Sequence, residues 1–116
     1  MLYAKVVFGL PVEGPFDYIV PKGLEGKTSP GCRVEVNFGL KRMQGVVVGL
    51  SRKTKIKQLK TLLALIDEQP VLGKEMLLLA RQMAEYYCCS WGQAIETILP
   101  PGLRKGKVLQ IGRAHV

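Results

Sequence analysis

The pattern of apolar and polar residues changes from strand-like to helix-like at about Pro70. Before that point, short stretches rich in β-branched residues or with apolar residues at alternate positions are separated by Gly and Pro, which is typical of β-strands joined by turns. The predicted strands are 2–10, 16–20, 32–38, 43–50 and 59–66. The last stretch contains much Leu and Ala, so a helix is the alternative there.

Alternation is clearest in the second and third predicted strands. In 16–20, Phe16 and Tyr18 would face one side of the strand and Asp17 the other. In 32–38, apolar residues alternate with polar ones, which predicts a half-buried strand that ends at Gly39. The two cations that follow, Lys41 and Arg42, predict a basic turn before the next strand.

After Pro70, apolar residues recur with helical spacing over 72–87, which predicts an amphipathic helix. Ser90 followed by Gln93 has the form of a capping box, so a second short helix would begin there and end near Leu99, before two prolines. The pattern therefore predicts an α+β domain, with a small bent antiparallel β-sheet or barrel of four to six short strands followed by two C-terminal helices.

The composition is that of a folded basic domain. The 116 residues suit one domain, and 17 Lys and Arg against 9 Asp and Glu give a formal net charge of +8. Because 47% of the residues are hydrophobic and only 22% are charged, this charge should lie on a packed surface. An excess of positive surface charge favours a polyanionic partner, and nucleic acid is commoner in that role than an acidic membrane.

The cysteines indicate neither a metal site nor a disulfide framework. Cys32, Cys88 and Cys89 lack CxxC spacing and a paired His motif, and their number is odd. We expect reduced, mostly buried thiols, with no metal or other cofactor held by this chain. The first residues do not resemble a signal peptide, and no apolar run has the length of a membrane span. The sequence thus predicts a soluble intracellular protein with no membrane partner.

No motif in the chain predicts catalysis. Gly26-Lys27-Thr28 resembles the end of a phosphate-binding loop, but that pattern requires a glycine where Pro21 stands. The sole histidine, His115, lies in 111–116, which matches the translation of a common sequencing adapter. We therefore expect 111–116 to be non-biological and the chain to be the start of a longer protein.

Several short motifs, in their order and spacing, resemble one known family. They are FDY at 16–18, GCRV at 31–34, VNFG at 36–39, GVV at 45–47, LK at 59–60, AEYY at 84–87 and LPPGL at 99–103. Together they resemble the N-terminal DNA 3′-end-binding domain of the PriA family of primosomal replication-restart helicases. The resemblance covers 1–103, so 104–110 would begin the linker to a helicase portion.

The resemblance implies that this domain captures the 3′ end of the nascent leading strand at a stalled replication fork. For the complete protein it implies an ATP-dependent 3′–5′ DNA helicase in the bacterial cytoplasm, with ATP, magnesium and zinc in the parts that follow. It also implies DNA, primosome proteins and single-stranded DNA-binding protein as partners. Whether the chain is an enzyme is left open, since the catalytic motifs would lie in those later parts.

The same resemblance carries the family's 3′-end site onto Phe16, Asp17, Gly39 and Lys60. A carboxylate at 17 would accept a hydrogen bond from a terminal 3′-hydroxyl, whereas an internal phosphodiester offers no proton and would be repelled. Phe16 would support the last base or sugar, and Gly39 would let backbone approach the nucleotide. Lys60 would bind phosphate. This interpretation requires Asp17 to lie near Gly39 and Lys60 with its carboxylate not taken up by protein partners.

Plainer interpretations stay open for these residues. Phe16 fits a core position as well as a base platform, its backbone is as good a contact as its ring, and Asp17 also fits a solvated strand position. Further cations are candidate phosphate contacts on charge alone, although a charge run is often only a solvated loop: Lys41, Arg42, Lys53, Lys55 and Lys57. The alternative function is a basic barrel that binds RNA or protein without strand-end specificity.

Overall fold

Strands precede helices along the chain, in the order that the sequence pattern predicts. A computed structural model describes residues 1–54, 56 and 59–99. The elements are β1 (Leu2–Val7), β2 (Phe16–Val20), a short 3-10 helix (Lys22–Leu24), β3 (Arg33–Phe38), β4 (Lys41–Ser51), β5 (Ala64–Leu65), α1 (Lys74–Tyr86) and α2 (Trp91–Ile98). Lys55, Lys57, the end of the predicted domain at 100–103, the linker 104–110 and the segment 111–116 lie outside the described residues.

The five strands form one sheet with the order β2-β1-β4-β3-β5, and the pairs are antiparallel. The segment that contains β5 reaches both edges of this sheet. On the β2 side, the Ile19 N–H donates to the Lys60 carbonyl and the Leu62 N–H to the Ile19 carbonyl, each at 2.9 Å. On the β3 side, the Leu63 N–H donates to the Glu35 carbonyl at 2.8 Å. The sheet therefore closes into a small barrel, and the predicted α+β class is confirmed.

The strands supply two separate apolar clusters, because alternate side chains point to opposite faces. The barrel interior is filled by Leu2, Ala4, Val6, Phe8, Tyr18, Val20, Val34, Val36, Val47 and Leu62. On the outside, the helices pack over β1 and β4 through Val7, Val46, Leu72, Leu77, Ala80, Ala84, Ala94, Ile95 and Leu99. The helical layer thus covers one face of the barrel and leaves β2 and the β3–β4 turn outside the helix-facing cluster.

The start of α2 is fixed against the end of β1. The Ser90 hydroxyl accepts from the Gln93 N–H at 3.1 Å, and the Gln93 side chain accepts from the Ser90 N–H at 2.9 Å, so the predicted capping box is confirmed. The same hydroxyl donates to the Leu10 carbonyl at 2.6 Å. A Cβ at Gly92 would clash with the Phe8 backbone, so this close approach requires glycine.

Some predicted boundaries are wrong. The basic turn is absent, because Lys41 and Arg42 already belong to β4 and the turn consists of Gly39 and Leu40 alone. Gly39 has a φ of 64°, and glycine at the first central position is the signature of a type II′ hairpin turn, which needs only two residues. The first strand ends at Val7 rather than at residue 10. Of the predicted strand 59–66, only Ala64–Leu65 is regular strand.

Arg33 is buried, although alternation placed it on the polar face of β3. Its side chain is 3% exposed, and Nε and Nη2 donate to the two carboxylate oxygens of Asp67 at 2.7 and 2.8 Å. The Arg33 backbone N–H also donates to Asp67 at 3.1 Å. Burial is tolerated because the guanidinium is held in this bidentate pair, which anchors the chain just after β5.

The junction between the two helices is open to solvent. Tyr86 and Tyr87 are 80% and 67% exposed and contact each other edge to face, with ring centroids 4.9 Å apart. Cys88 is exposed and only Cys32 is fully buried, so the expectation of mostly buried thiols is wrong. Trp91 closes the junction from the other side, since its indole N–H donates to the Leu77 carbonyl at 2.9 Å.

Candidate functional site

Phe16 and Asp17 lie at the start of β2 and point to opposite faces, as predicted. The Phe16 ring is half-buried and packs against Phe8 and Phe38, with ring centroids 5.9 and 5.1 Å away. Asp17 lies directly opposite Lys5 of β1, on the outer face of the barrel. Because the ring of Phe16 is engaged in this aromatic cluster, the structure favours a core position for that ring over a base platform.

Lys60 joins β2 to the turn between β3 and β4. Its Nζ donates to the Gly39 carbonyl at 2.7 Å, and its own carbonyl accepts from the Ile19 N–H at 2.9 Å. Ile19 is two residues from Asp17 and therefore lies on the same face of β2. The contact between Phe16 and Phe38, the residue before Gly39, joins the same two regions. The predicted site residues thus lie together in one part of the barrel.

The Asp17 carboxylate is held by two protein donors. Lys5 Nζ donates to Oδ1 at 3.2 Å, and Thr54 Oγ1 donates to Oδ2 at 2.8 Å. The Asp17 side chain is only 12% exposed, while that of Lys5 is 41% exposed. The expectation of a carboxylate without protein partners is therefore not met. That requirement was stricter than the chemistry demands, because a carboxylate offers about four lone-pair positions and two protein donors leave acceptor capacity for a ligand.

Sequence reasoning missed Lys5 and Thr54, because neither lies in a recognisable motif. Lys5 could have been found from the sequence, because an antiparallel hairpin of the first two strands, in the correct register, places Lys5 opposite Asp17. The register of β1 against β4 also shifts between Lys5 and Val6, and such a bulge re-aims neighbouring side chains and is common beside functional sites. Thr54 gave no signal, because its contact joins residues 37 positions apart.

Comparison with known proteins identifies the family. The family model for the PriA 3′ DNA-binding domain matches residues 5–100, which is most of the chain. This chain belongs to the PriA 3′ DNA-binding domain family. Membership makes it a DNA 3′-end-binding domain, and the alternative of a basic RNA- or protein-interaction module is not favoured.

Relatives of this PriA-family chain come from distant bacteria. It is 28% identical over 120 residues to the replication restart protein PriA of Bacillus subtilis, a match over 99% of this chain and 15% of that protein. With PriA of Chlamydia pneumoniae it shares 30% identity over 99 residues, which cover 85% of this chain and 13% of that protein. With PriA of Treponema pallidum it shares 27% identity over 109 residues, which cover 89% of this chain and 17% of that protein. The chain therefore spans less than a fifth of the length of these relatives.

The cations expected to contact DNA differ in how they are placed. Those in the described part of the chain are exposed: Lys41, Arg42 and Lys53. Lys41 pairs with Phe38 across the Gly39 turn, so it lies beside the site. Arg42 lies 3.5 Å from Glu35, a solvent-exposed ion pair that contributes little and is easily exchanged for a phosphate contact. Lys55 and Lys57 remain predictions, since they fall outside the described residues.

Tyr18 supports this PriA-family site from inside the barrel. Its hydroxyl donates to the Asn37 carbonyl at 2.9 Å, close to the turn that carries Gly39. Burial raises the pKa of Tyr18 above its ordinary value of 10.0, so the phenol stays neutral at physiological pH. Tyr18 thereby holds the end of β3 against β2, with no charge of its own to offer DNA.

A concavity adjoins these residues at Lys5. A groove of about 900 Å³ runs between the β1–β2 loop and the helices, and its lining includes Lys5 but none of Phe16, Asp17, Gly39 or Lys60. Glu13 and Glu85 line it together with Lys5 and Arg81, so its charges balance and do not favour a polyanion. We therefore place the candidate DNA site at Asp17 and Lys60 rather than in this groove.

The described part of the chain shows no group of three or more His, Cys, Asp and Glu residues able to hold a metal ion. Within the same residues, no helix combines the length and the apolar character needed to cross a membrane.

Proposed function

We propose that the domain recognises a free 3′-hydroxyl of a DNA strand through the Asp17 carboxylate. One observation carries the proposal: Lys5 and Thr54 fix this carboxylate on the outer face of β2, and the backbone of Lys60 is hydrogen-bonded to the same strand at Ile19. A hydroxyl that donates to the remaining lone pairs forms a charge-assisted hydrogen bond, which contributes about 1.5–3 kcal/mol. An internal nucleotide instead presents a phosphodiester, which has no proton to donate and carries the same sign of charge as Asp17.

The other site residues support this recognition in different ways. Lys60 is exposed, and its Nζ exchanges the Gly39 carbonyl for a backbone phosphate of the bound strand. The left-handed backbone at Gly39 keeps the turn tight, so its main chain is available to the terminal nucleotide. Phe16 contributes its backbone and holds β2 in place through its ring. Contacts of this kind read no bases, so binding is independent of sequence and sensitive to salt.

We also propose that the domain, residues 1–103, acts within a longer replication restart protein, with 104–110 as the start of a linker. The relatives named replication restart protein PriA support this context. The bound end is then the nascent leading strand at a stalled fork. ATP-dependent unwinding, with ATP, magnesium and zinc, belongs to the rest of the protein, as do contacts to primosome proteins and single-stranded DNA-binding protein in the bacterial cytoplasm.

The chemistry of the strand end tests the proposal directly. We expect the domain to bind a 5′-labelled single-stranded oligonucleotide with a 3′-hydroxyl about tenfold or more tightly than the same oligonucleotide with a 3′-phosphate, because one charge-assisted hydrogen bond is lost and repulsion is added. Fluorescence anisotropy titrations measure both affinities. A module without strand-end specificity binds the two oligonucleotides equally, so equal affinities contradict the proposal.

Lys60→Ala tests the phosphate contact separately. We expect it to weaken binding of both oligonucleotides by the same factor, because Lys60 contacts the backbone and not the terminal hydroxyl. The slope of log affinity against log salt concentration should fall by about 0.7, the value for one phosphate contact on a single strand. Lys74→Ala, an exposed lysine at the start of α1, is the matched control and should leave the slope unchanged. The phosphate role is wrong if both variants give the wild-type slope.

A further inference from the structure

We propose that Thr54 is a positioning residue for strand-end recognition, because it ties the start of the basic segment that follows β4 to the Asp17 carboxylate. The inference rests on the proposed function, since it concerns the group that would accept the 3′-hydroxyl. Nothing in the motifs of the chain singles out Thr54. The assignment comes from one hydrogen bond that joins the segment after β4 to the middle of the site.

The direction of the Thr54 hydrogen bonds is fixed. A threonine hydroxyl has one proton to donate and two lone pairs to accept with. The Ile56 backbone N–H donates to Thr54 Oγ1 at 3.2 Å, and the hydroxyl proton points at Asp17 Oδ2, 2.8 Å away. The backbone of the basic segment therefore holds the hydroxyl, and the hydroxyl holds the carboxylate.

Thr54 and Lys5 restrain the carboxylate from two sides. Lys5 holds Oδ1 from β1, and Thr54 holds Oδ2 from the segment after β4, so the plane of the carboxylate is set by two separate elements. Lys5 alone is a weak restraint, because it is a long, flexible side chain that is 41% exposed. Without the threonine hydroxyl, the carboxylate gains freedom to rotate, and a bound 3′-hydroxyl must bear the cost of ordering it.

A merely structural role for Thr54 predicts a different result. If Thr54 only shaped the basic segment, its loss would weaken phosphate contacts, and both strand ends would lose affinity alike. Ser51 provides the control for that case. Its hydroxyl accepts from the Lys53 N–H at 3.1 Å and donates to the Lys53 carbonyl at 2.9 Å, which ties the last residue of β4 to the start of the same segment without using Asp17.

The measured quantity is the ratio of affinities for the 3′-hydroxyl and 3′-phosphate oligonucleotides. Thr54→Val removes the hydroxyl at nearly constant shape and is expected to lower this ratio about fivefold, the effect of one ordinary hydrogen bond. Thr54→Ser keeps the hydroxyl and should keep the ratio. Ser51→Ala should keep the ratio as well, and the salt dependence of Thr54→Val should equal that of the wild type because no charge changes.

A double-mutant cycle with Asp17→Ala distinguishes a role of Thr54 in positioning Asp17 from a role in shaping the basic segment. In the Asp17→Ala background, Thr54→Val should change the ratio no further, because the group it positions is gone. Thermal unfolding midpoints confirm that each variant folds, and Thr54→Ala replaces Thr54→Val if valine is not tolerated.

The outcomes are distinguishable. If the ratio in Thr54→Val or Thr54→Ala equals that of the wild type, this inference is wrong and the proposed function still stands. The inference is also wrong if Thr54→Val and Ser51→Ala lower this ratio by the same factor. A wild-type domain with no preference removes the proposed function, and the role of Thr54 with it.

Discussion

Asp17→Ala is expected to abolish the preference for a 3′-hydroxyl over a 3′-phosphate. The variant removes the acceptor for the hydroxyl proton and, at the same time, the negative charge that repels a terminal phosphate. It also leaves the Lys5 ammonium without its carboxylate, 3.2 Å away in the wild type, so Lys5 becomes available to that phosphate. Affinity for the hydroxyl end should fall by about tenfold or more, and affinity for the phosphate end should stay equal or rise.

A charge-matched control separates this effect from general electrostatics. Glu35→Ala also removes one negative charge from the outer face of the barrel, where Glu35 pairs with Arg42 at 3.5 Å and does not contact Asp17. Any gain in DNA affinity that arises only from the higher net charge appears in both variants, whereas the preference for the hydroxyl end should survive in Glu35→Ala. Anisotropy titrations of both oligonucleotides give the two ratios, and a preference that persists in Asp17→Ala contradicts the role of this carboxylate.

Asp67→Ala is expected to lower the free energy of unfolding by about 3 kcal/mol, as is typical when one partner of a buried ion pair is removed. Arg33 is 3% exposed, and both hydrogen bonds from its guanidinium to the Asp67 carboxylate are shorter than 3 Å. The variant removes the carboxylate that balances the charge of this buried guanidinium. It also removes the anchor that follows β5, so the segment that closes the barrel is held less firmly.

Glu68→Ala is the control for Asp67→Ala, because the neighbouring carboxylate is exposed and its removal changes the net charge by the same amount. Urea unfolding monitored by Trp91 fluorescence and circular dichroism gives the free energies of both variants. A loss in Asp67→Ala no larger than that in Glu68→Ala would mean that the Arg33 pair does not stabilise the domain.

Local patterns predicted the parts of this fold that depend on local interactions. The capping box at Ser90 and Gln93 lies within four residues, and the alternation of β2 needs only the geometry of a strand to place Asp17 outward. Family motifs then predicted Phe16, Gly39 and Lys60 as site residues, and the structure brings these three together. The same reasoning located the turn after β3 too late, because it gave two cations more weight than Gly39.

Contacts between distant parts of the chain were not predictable in this way. Arg33 occupies a polar position by alternation, and its burial depends on Asp67, 34 residues later. Thr54 reaches Asp17 only because the chain after β4 returns to β2. The paths of loops between distant elements decide such contacts, and no local pattern in a single sequence encodes them. Thr54 is therefore the part of the candidate site that required a structure.

The closing segment also affects how the domain behaves among copies of itself. Thr61 bridges to β2 and β5 pairs with β3, so within the described residues neither outer strand presents a long row of unpaired peptide groups. Exposed rows of that kind template intermolecular strand addition. Several copies of the domain that gather at the ends of DNA strands are therefore less prone to polymerise through their own β-sheets.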